Sequence, residues 1–335
     1  MPDRFELADA RDLAFVQVDR FALDVWHTTD GVAQKWWLRS RLADVHTLVD
    51  KQSGAIAAIC VAVPSHWVIP GCGTVPVRSI CSWYVSPHYQ GLKLGQRLVG
   101  LIESTTPFMN TLSISPAAVK SFAKMGWAGP RSTSLRLLPL PRWRLPRAGG
   151  PLTVETVDVV GSALPSGLAA TLDRIEAAAP DVVRRRRTSA DWIDHLAVNP
   201  TRRTRFHLIA GAAEPIGYVV TRATDDQAGP WLRAARLHYV TDIMLDQVGE
   251  GGLEATLRLV AGSVPRSAGA LLLCTGLPHL AAAASRAGWL DERSPLLGPR
   301  LAAKAPQYML GGAFAAHAAA DLPFSFCDSD IDLNL

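Results

Sequence analysis

The sequence predicts an α/β protein with two domains in tandem. Apolar runs with strand character alternate with segments of helical spacing along the whole chain. Its 335 residues exceed the usual length of one compact domain. Residues 139–151 (PLPRWRLPRAGGP) interrupt the pattern, because prolines fix φ and remove backbone donors. We therefore expect one domain over 1–138, a linker over 139–151 and a second domain over 152–335.

The first half is predicted to alternate strands and helices. The predicted elements are a strand at 5–7, helices at 11–26 and 32–42, strands at 47–51, 55–63 and 77–85, a helix at 92–104, a strand at 110–114, a helix at 116–125 and a strand at 133–138. Pro116 suits the first turn of its helix, and Gly126 suits the position after the helix ends.

The second half is predicted to repeat this order. Its helices at 164–178 and 189–197 precede strands at 207–210, 215–222 and 235–245, a helix at 253–260, a strand at 270–274 and a helix at 278–287. The sequences MGW at 125–127 and AGW at 287–289 each close a helix that follows a strand. The shared order favours two copies of one fold.

Composition and charge favour a globular protein of the cytoplasm. Hydrophobic residues make up 48% of the chain, which excludes extensive disorder. No stretch reaches the ~18 apolar residues that span a bilayer, and the amino terminus has no apolar signal segment. The five cysteines lack CxxC spacing, so neither a metal site nor a disulfide framework is predicted. A net charge of +4 and a basic run without interleaved aromatic residues argue against nucleic acid as a partner.

Residues 82–99 (SWYVSPHYQGLKLGQRLV) carry the strongest chemical signal. A strand pattern ends at Val85, Pro87 breaks it, and an amphipathic helix follows the glycine-containing loop. The first N–H groups of a helix lack intrahelical acceptors and the helix dipole is positive there, so an anion can bind. From the residues alone, the segment is either a pyrophosphate cradle that closes around the anion at Gly91 or an ordinary turn.

This segment resembles the coenzyme A signature of the GNAT acyltransferase superfamily, in which R/Q-x-x-G-x-G/A follows a V-x-P strand end. Lys93 stands where the pattern has glycine; it can still supply an amide and adds a cation near phosphate. Residues 115–127 resemble a second family segment, N-x-x-A-x-x-x-Y-x-x-x-G-F, with Phe122 in place of the tyrosine. The resemblance implies acetyl-CoA or another acyl-CoA as cosubstrate, bound by Val85, Gln90, Gly91, Leu92, Lys93, Leu94, Gly95 and Phe122.

The chemistry implied by the resemblance is direct attack of an amine on an acyl thioester, helped by positioning and by a backbone N–H freed where strands split beyond Val85. The strand at 79–84 holds no carboxylate where family members often have a glutamate base. Tyr84 and His88 are the catalytic candidates, with His66 as a further relay through water. Each also has a plain interpretation, as a half-buried strand residue or a solvated loop group. Phe122 cannot donate a proton, so a helix-face core residue is its other interpretation.

The second half is expected to shape the substrate site rather than bind the cofactor. Its loop at 247–252 lacks the V-x-P approach, and Glu250 would repel a phosphate. Asp242 and Asp246 either face one side of a strand and hold a cationic amine, or are edge charges that keep a sheet soluble. The arginine run at 184–187 is either a solvated helix start or a contact for a sugar phosphate or an acyl-carrier protein.

Taken with the resemblance, the sequence predicts tandem GNAT-like domains, each a mixed, mostly antiparallel sheet packed by helices. The expected activity is acyl transfer, most simply of acetyl, to the amine of a small molecule or amino sugar. Residues 184–199 weakly resemble GNAT-like proteins of envelope-polysaccharide pathways. The alternative is a catalytically weak or inactive GNAT-like protein that binds coenzyme A or serves as a scaffold. Lys93, Phe122 and the missing strand carboxylate are departures from the family pattern that argue against efficient catalysis.

Overall fold

The computed structural model describes residues 4–13, 15–26, 43–112, 115–139, 151–198, 203–211, 214–223, 236–245, 248, 250–265, 268–291, 307–317 and 322. The predicted helix at 32–42, most of the predicted linker, and Asp246 lie outside these residues. No described helix is long and apolar enough to cross a membrane.

Fifteen strands and seven α-helices make up the described part of the chain. The strands are β1 (Phe5–Asp9), β2 (Asp44–Asp50), β3 (Ile56–Ile69), β4 (Gly73–Val85), β5 (Phe108–Leu112), β6 (Ala128–Ser132), β7 (Ser134–Pro139), β8 (Thr153–Val160), β9 (Arg184–Arg185), β10 (Arg203–Ala210), β11 (Pro215–Ala223), β12 (Arg236–Met244), β13 (Ala268–Thr275), β14 (Leu290–Asp291) and β15 (Gln307–Gly312). The helices are α1 (Phe15–Trp26), α2 (Leu94–Thr105), α3 (Pro116–Lys124), α4 (Ser166–Ala177), α5 (Ser189–Val198), α6 (Glu250–Ser263) and α7 (Pro278–Arg286).

The strands form an eight-stranded sheet and a seven-stranded sheet, which share the same order apart from one added strand. The first sheet runs β1-β2-β3-β4-β5-β15-β6, with β9 added beside β3, and the second runs β8-β10-β11-β12-β13-β7-β14. Among the described strands every pairing is antiparallel except β4–β5 and β12–β13, which occupy equivalent places in the two sheets. The predicted tandem of mixed, mostly antiparallel sheets is confirmed.

The first half gives one strand, β7, to the second sheet, and the second half gives β15 and the short β9 to the first sheet. β7 pairs with β13 and β14, while β15 pairs with β5 and β6. Only Thr133 separates β6 from β7, and a tight hairpin needs at least two turn residues, so β7 cannot fold back on β6. The strand predicted at 133–138 therefore forms, but in the second sheet. The limits 1–138 and 152–335 stay a prediction about folding units, since both sheets cross them.

Helices cover both sides of the first sheet. Ala58 and Cys60 of β3 join the cluster of α2 and α3, whereas the alternate residues Ile59 and Val61 join the cluster of α1. This alternation follows from the twofold period of a strand. We call the two sides the α2 face and the α1 face. In the second sheet, α4 and α5 cover one side and α6 and α7 the other.

The MGW and AGW segments end their helices in the same way. Gly126 and Gly288 have φ values of +86° and +89°. The N–H of the tryptophan after each glycine donates to the carbonyl five residues earlier, over 3.1 Å in the first half and 3.0 Å in the second. Glycine is favoured here because a helix end of this kind requires left-handed backbone. The sequence likeness therefore reflects one repeated helix end.

Candidate active site

The loop predicted to hold a pyrophosphate joins the end of β4 to the start of α2. Residues Pro87–Tyr89 form a 3-10 turn, and α2 begins at Leu94. The side chains of residues 90–93 are exposed, whereas Leu94 and Gly95 are buried against the sheet. We call residues 86–95 the cofactor loop. It leaves the first turn of α2 open to a ligand from outside.

The backbone N–H groups of this first turn suit an anion. Tyr89, Gln90 and Leu92 close turns within the loop, and Arg97 is the first helix residue to reach back, to the carbonyl of Lys93 over 3.1 Å. The N–H groups of residues 93–96 donate to no backbone carbonyl in the part of the chain that the structure describes. Together with the helix dipole, they fit the phosphates of an acyl-CoA.

Lys93 has the backbone conformation for which the coenzyme A pattern uses glycine. Its φ is +58° and its ψ is 21°, and no other non-glycine residue in the described chain has a positive φ. Such a conformation costs an ordinary residue about 1–2 kcal/mol. The loop therefore follows the path expected of the pattern, with backbone strain at Lys93 and an added cation at the helix start.

Gly95 lets an indole ring pack onto the first turn of α2. A Cβ at Gly95 would lie 2.6 Å from Nε1 of Trp83. The ring of Trp83 also packs on Phe122 at 4.7 Å between centroids, and Phe122 packs on Trp127 at 4.4 Å. Phe122 is only 1% exposed, so it belongs to the core, and its role as a cofactor contact stays a prediction. This contact of Trp83 was not predicted, although the residue stands two positions before Val85.

Tyr89 fixes the cofactor loop to the first strands of the chain. Its Oη donates to Oδ2 of Asp50 over 3.0 Å, and its ring meets Phe5 edge to face at 5.9 Å. Arg4 also donates to Asp50, from Nη2 to Oδ2 over 2.8 Å, and this hydrogen bond holds the pKa of Asp50 well below its usual value. The loop conformation thus rests on a charged contact that sequence spacing did not reveal.

The strands β4 and β5 separate beside this loop. They pair only from Arg78–Met109 to Ile80–Thr111. A bulge at Cys81 follows at once, because the register with β3 shifts there. The predicted split beyond Val85 therefore begins five residues earlier. From residue 81 to 85 the outer edge of β4 pairs with no described strand, and we call the space beside this unpaired edge the cleft.

The two catalytic candidates lie on different elements. Tyr84 is 37% exposed and pairs with Ile59, so it lies on the α1 face beside the cleft. His88 is exposed in the 3-10 turn of the cofactor loop. His66 lies away from the cleft, where its Nδ1 is 3.2 Å from Oδ1 of Asp191 at a contact with the second half. Of the three, Tyr84 lies on the strand edge that borders the cleft.

In the second half, the position equivalent to the cofactor loop is occupied by a side chain of the protein itself. The loop before α6 is shorter, and Val248 is buried there, with its Cγ1 2.2 Å from where a Cβ of Gly252 would lie. Asp242 is buried in an ion pair with Arg187, so it does not keep the edge of a sheet soluble. These contacts favour the first half as the cofactor site.

The arginine run is an internal feature rather than a solvated helix start. Nη1 of Arg184 lies 2.6 Å from Oε1 of Glu176, and Nε of Arg186 lies 2.8 Å from Oδ2 of Asp191. Burial opposes ionisation of Asp191, but hydrogen bonds from Arg186 and Thr188 outweigh it and lower its pKa to about 2. The prediction of a solvated helix start is wrong. Because Arg184 and Arg186 are paired with carboxylates, fewer of the four arginines can contact a phosphate or an acyl-carrier protein.

No group of three or more His, Cys, Asp or Glu residues in the described chain could hold a metal ion. The four described cysteines are free thiols.

Residues 11–127 match the family model described as Acetyltransferase (GNAT) family. No curated protein sequence matches the chain. A GCN5-related N-acetyltransferase from Anabaena variabilis aligns with 92% of this chain and 72% of its own, at 15% identity and a TM-score of 0.59. A tandem GNAT protein from the clavulanic acid biosynthesis pathway aligns with 93% of this chain and 98% of its own, at 16% identity and a TM-score of 0.55.

A further similar structure is the GCN5-related glucosamine N-acetyltransferase region of a fungal multi-domain β-N-acetylglucosaminidase. It aligns with 92% of this chain and 38% of its own, at 15% identity and a TM-score of 0.53. At these identities the solved structures establish the fold. Residues 11–127 therefore match the acetyltransferase (GNAT) family, within a chain that has the fold of tandem GNAT proteins.

Proposed function

We propose that this protein is an acyl-CoA-dependent N-acyltransferase that transfers an acetyl group to the amine of a small molecule, with amino sugars as the acceptor class. The observation that supports the proposal most is the open first turn of α2 beside the cleft between β4 and β5. The helix start suits the phosphates of acyl-CoA, and the cleft leads from it across the sheet. The fold shared with a glucosamine N-acetyltransferase region supports the acceptor class.

Acyl-CoA would supply the activated acyl thioester. The backbone of residues 90–95 holds its phosphates, and Tyr89 keeps that backbone in place. The outer edge of β4 after Ile80 offers N–H groups to the developing negative charge on the thioester oxygen. The amine nitrogen forms the new C–N bond as the C–S bond breaks. Tyr84, on the α1 face beside the cleft, relays the amine proton through water: its hydroxyl accepts one hydrogen bond and donates another, so it stays neutral while the proton passes to the departing coenzyme A thiolate. His88 is the second relay.

We propose a cytoplasmic setting, in keeping with the free thiols of the described cysteines. We also propose a place in envelope-polysaccharide synthesis, on the resemblance carried by residues 184–199.

The alternative is a coenzyme A-binding or scaffold protein with little or no turnover. Two observations favour it. Residues 79–85 hold no carboxylate, and Phe122 places a buried ring without a hydroxyl where the family pattern has tyrosine. At both positions a group that could transfer a proton is missing, while the cofactor loop is unaffected.

Thiol release from acetyl-CoA in the presence of glucosamine, with the product identified by mass, separates the two functions. We expect release by the wild type, and a loss of about 10²-fold in kcat for Tyr84→Phe with unchanged acetyl-CoA affinity. Tyr239→Phe, the loss of another phenol hydroxyl on β12 of the second sheet, is the matched control and should retain the rate. Acetyl-CoA binding without thiol release across a panel of hydroxylated amines would favour the alternative. A wild type that does not bind acetyl-CoA would rule out the enzyme and the coenzyme A-binding protein and leave the scaffold.

A further inference from the structure

Asn110 is a buried amide with nothing in the described chain to satisfy it. The residue is 0% exposed, and neither its Nδ2 nor its Oδ1 has a hydrogen-bond partner there. A side-chain amide can donate two hydrogen bonds and accept two, and burying it without partners costs free energy. Native folds rarely keep such a group unless water or a ligand completes it. Asn110 therefore calls for a partner from outside the chain.

The position of Asn110 is the foot of the cleft. It lies on β5 opposite Ser79 of β4, one step before Ile80–Thr111, the last pair before the strands separate. Its neighbour Met109 belongs to the cluster on the α2 face, so Asn110 lies on the α1 face. The cofactor loop leads into α2 on the other face. A thioester that crosses the cleft from that side would meet its acceptor above Asn110.

Two serines extend the polar surface around this amide. Ser79 is 8% exposed and lies directly opposite Asn110. Ser65 of β3 is also 8% exposed, pairs with Val77, and its Oγ has no partner in the described residues. Ser65 is thus a diagonal neighbour of Ser79 on the same face. We call Ser65, Ser79 and Asn110 the polar floor. It separates the apolar cluster of α1 from the cluster around Trp67.

The second sheet shows that the fold does not require a polar residue here. Its last parallel pair is Val240–Leu273, so the residue equivalent to Asn110 is Leu272. Leu272 is 3% exposed and packs with Leu135 and Cys274. Where the second half fills the equivalent place with its own side chains, the first half keeps hydrogen-bonding groups without partners. The difference indicates a ligand at the first position.

We propose that the polar floor binds hydroxyl groups of the acceptor and so holds a polyhydroxylated amine, such as an amino sugar, with its nitrogen at the cleft. The three residues are neutral, and a carboxamide beside two hydroxyls can both donate to and accept from sugar hydroxyls. This inference rests on the proposed function and specifies which residues select its acceptor.

Glucosamine and cyclohexylamine form the test pair, because both are ring amines and only the first has hydroxyls. At saturating acetyl-CoA we expect Asn110→Leu to raise the KM for glucosamine about tenfold. The variant loses the hydrogen bonds from the amide to the sugar hydroxyls, and the loss of one such bond weakens affinity by about this factor. Its kcat and its kinetics with cyclohexylamine should change little. Thr256→Val, the loss of another buried hydroxyl without a partner, on α6, should change neither KM.

A second readout does not depend on turnover. Glucosamine should raise the Tm of the wild type and not that of Asn110→Leu, while the ligand-free Tm of the variant should not fall, since Leu272 fits the equivalent site. An unchanged KM and an unchanged glucosamine-induced shift in the folded variant would overturn the inference. A wild type that binds no acetyl-CoA would defeat the proposed function instead, and the glucosamine-induced shift would still decide on the polar floor.

Discussion

Tyr89 and Asp50 join the cofactor loop to the first strands through a 3.0 Å hydrogen bond from Oη to Oδ2. Asp50 is held in turn by Arg4, so the loop is anchored on a carboxylate that stays ionised. A loop fixed in this way already holds its N–H groups in the conformation that binds the ligand. Less conformational entropy is therefore lost when the ligand binds.

Removing the Tyr89 hydroxyl should loosen this loop. We expect Tyr89→Phe to raise the Kd for acetyl-CoA roughly tenfold, because a hydrogen bond to a charged group contributes about 1.5–3 kcal/mol. Isothermal titration calorimetry measures the change. Ser53→Ala is the control, since Ser53 Oγ lies 3.2 Å from the same hydroxyl on the exposed side. Equal affinities for wild type and Tyr89→Phe would show that the anchor does not serve binding.

Replacing Lys93 by glycine should change stability and binding in opposite directions. The left-handed backbone at φ +58° is strained for lysine, so Lys93→Gly should raise the free energy of unfolding by about 1 kcal/mol. The same change removes a cation from the helix start and should weaken acetyl-CoA binding a few-fold. Urea unfolding and calorimetry report the two effects. Lys51→Gly, at an exposed turn residue with negative φ, should not stabilise the protein.

The central strands and helices of each half were predictable because they depend on local sequence, whereas β6, β8, β9, β14 and β15 were not predicted. Helical spacing, Pro116 at a helix start, and Gly126 and Gly288 after two helix ends were visible in the sequence, and the structure confirms these positions. The exchange of β7 and β15 was not predictable in this way, because pairing partners far apart in sequence leave no periodic signal. The one local clue was Thr133, the single residue between two strands.

The exchanged strand β15 depends on a close contact between Gly311 and Trp127. A Cβ at Gly311 would lie 2.2 Å from Cε2 of Trp127, whose Nε1 donates to Glu103 over 3.1 Å. Gly311→Ala should therefore lower the free energy of unfolding by about 1–3 kcal/mol. Gly100→Ala is the matched control, since nothing lies within 4 Å of its added Cβ on α2, and it should stabilise by about 0.5–1 kcal/mol. Equal stability of the two variants would argue against this packing.

His207 should make the protein less stable in mild acid. Burial, with a smaller effect from Arg205, lowers its pKa from 6.5 to about 4, while Thr221 Oγ1 lies 2.9 Å from its Nε2. Between pH 6.5 and 4, His207 binds a proton in the unfolded chain but stays neutral in the folded chain. The free energy of unfolding therefore falls by about 3 kcal/mol as the pH drops from 6.5 towards 4. Urea unfolding at several pH values measures the slope. His207→Gln should lose this part of the slope, and an unchanged slope would contradict the assignment.

The chemistry of the site was only partly readable from sequence. The family pattern marks the loop and the place of Lys93, but Trp83, Tyr89 and Asn110 acquire their roles from neighbours across strands. Tyr89 meets Asp50, which is 39 residues away, and Asn110 lies opposite Ser79 at a distance of 31 residues. Such contacts follow from register, which a single sequence specifies only weakly.

Calorimetric titration with acetyl-CoA of the wild type, Gly91→Val and Gly71→Val tests most directly whether the cofactor loop binds acyl-CoA. Gly91 and Gly71 have φ values of +85° and +81°, and neither would place a Cβ within 4 Å of another atom. Valine therefore strains both backbones alike, but only Gly91 lies in the cofactor loop, whereas Gly71 is in the turn between β3 and β4. The account predicts binding by the wild type and Gly71→Val, with affinity at least tenfold weaker for Gly91→Val. Equal affinities for the two variants, or no heat with the wild type, would contradict it.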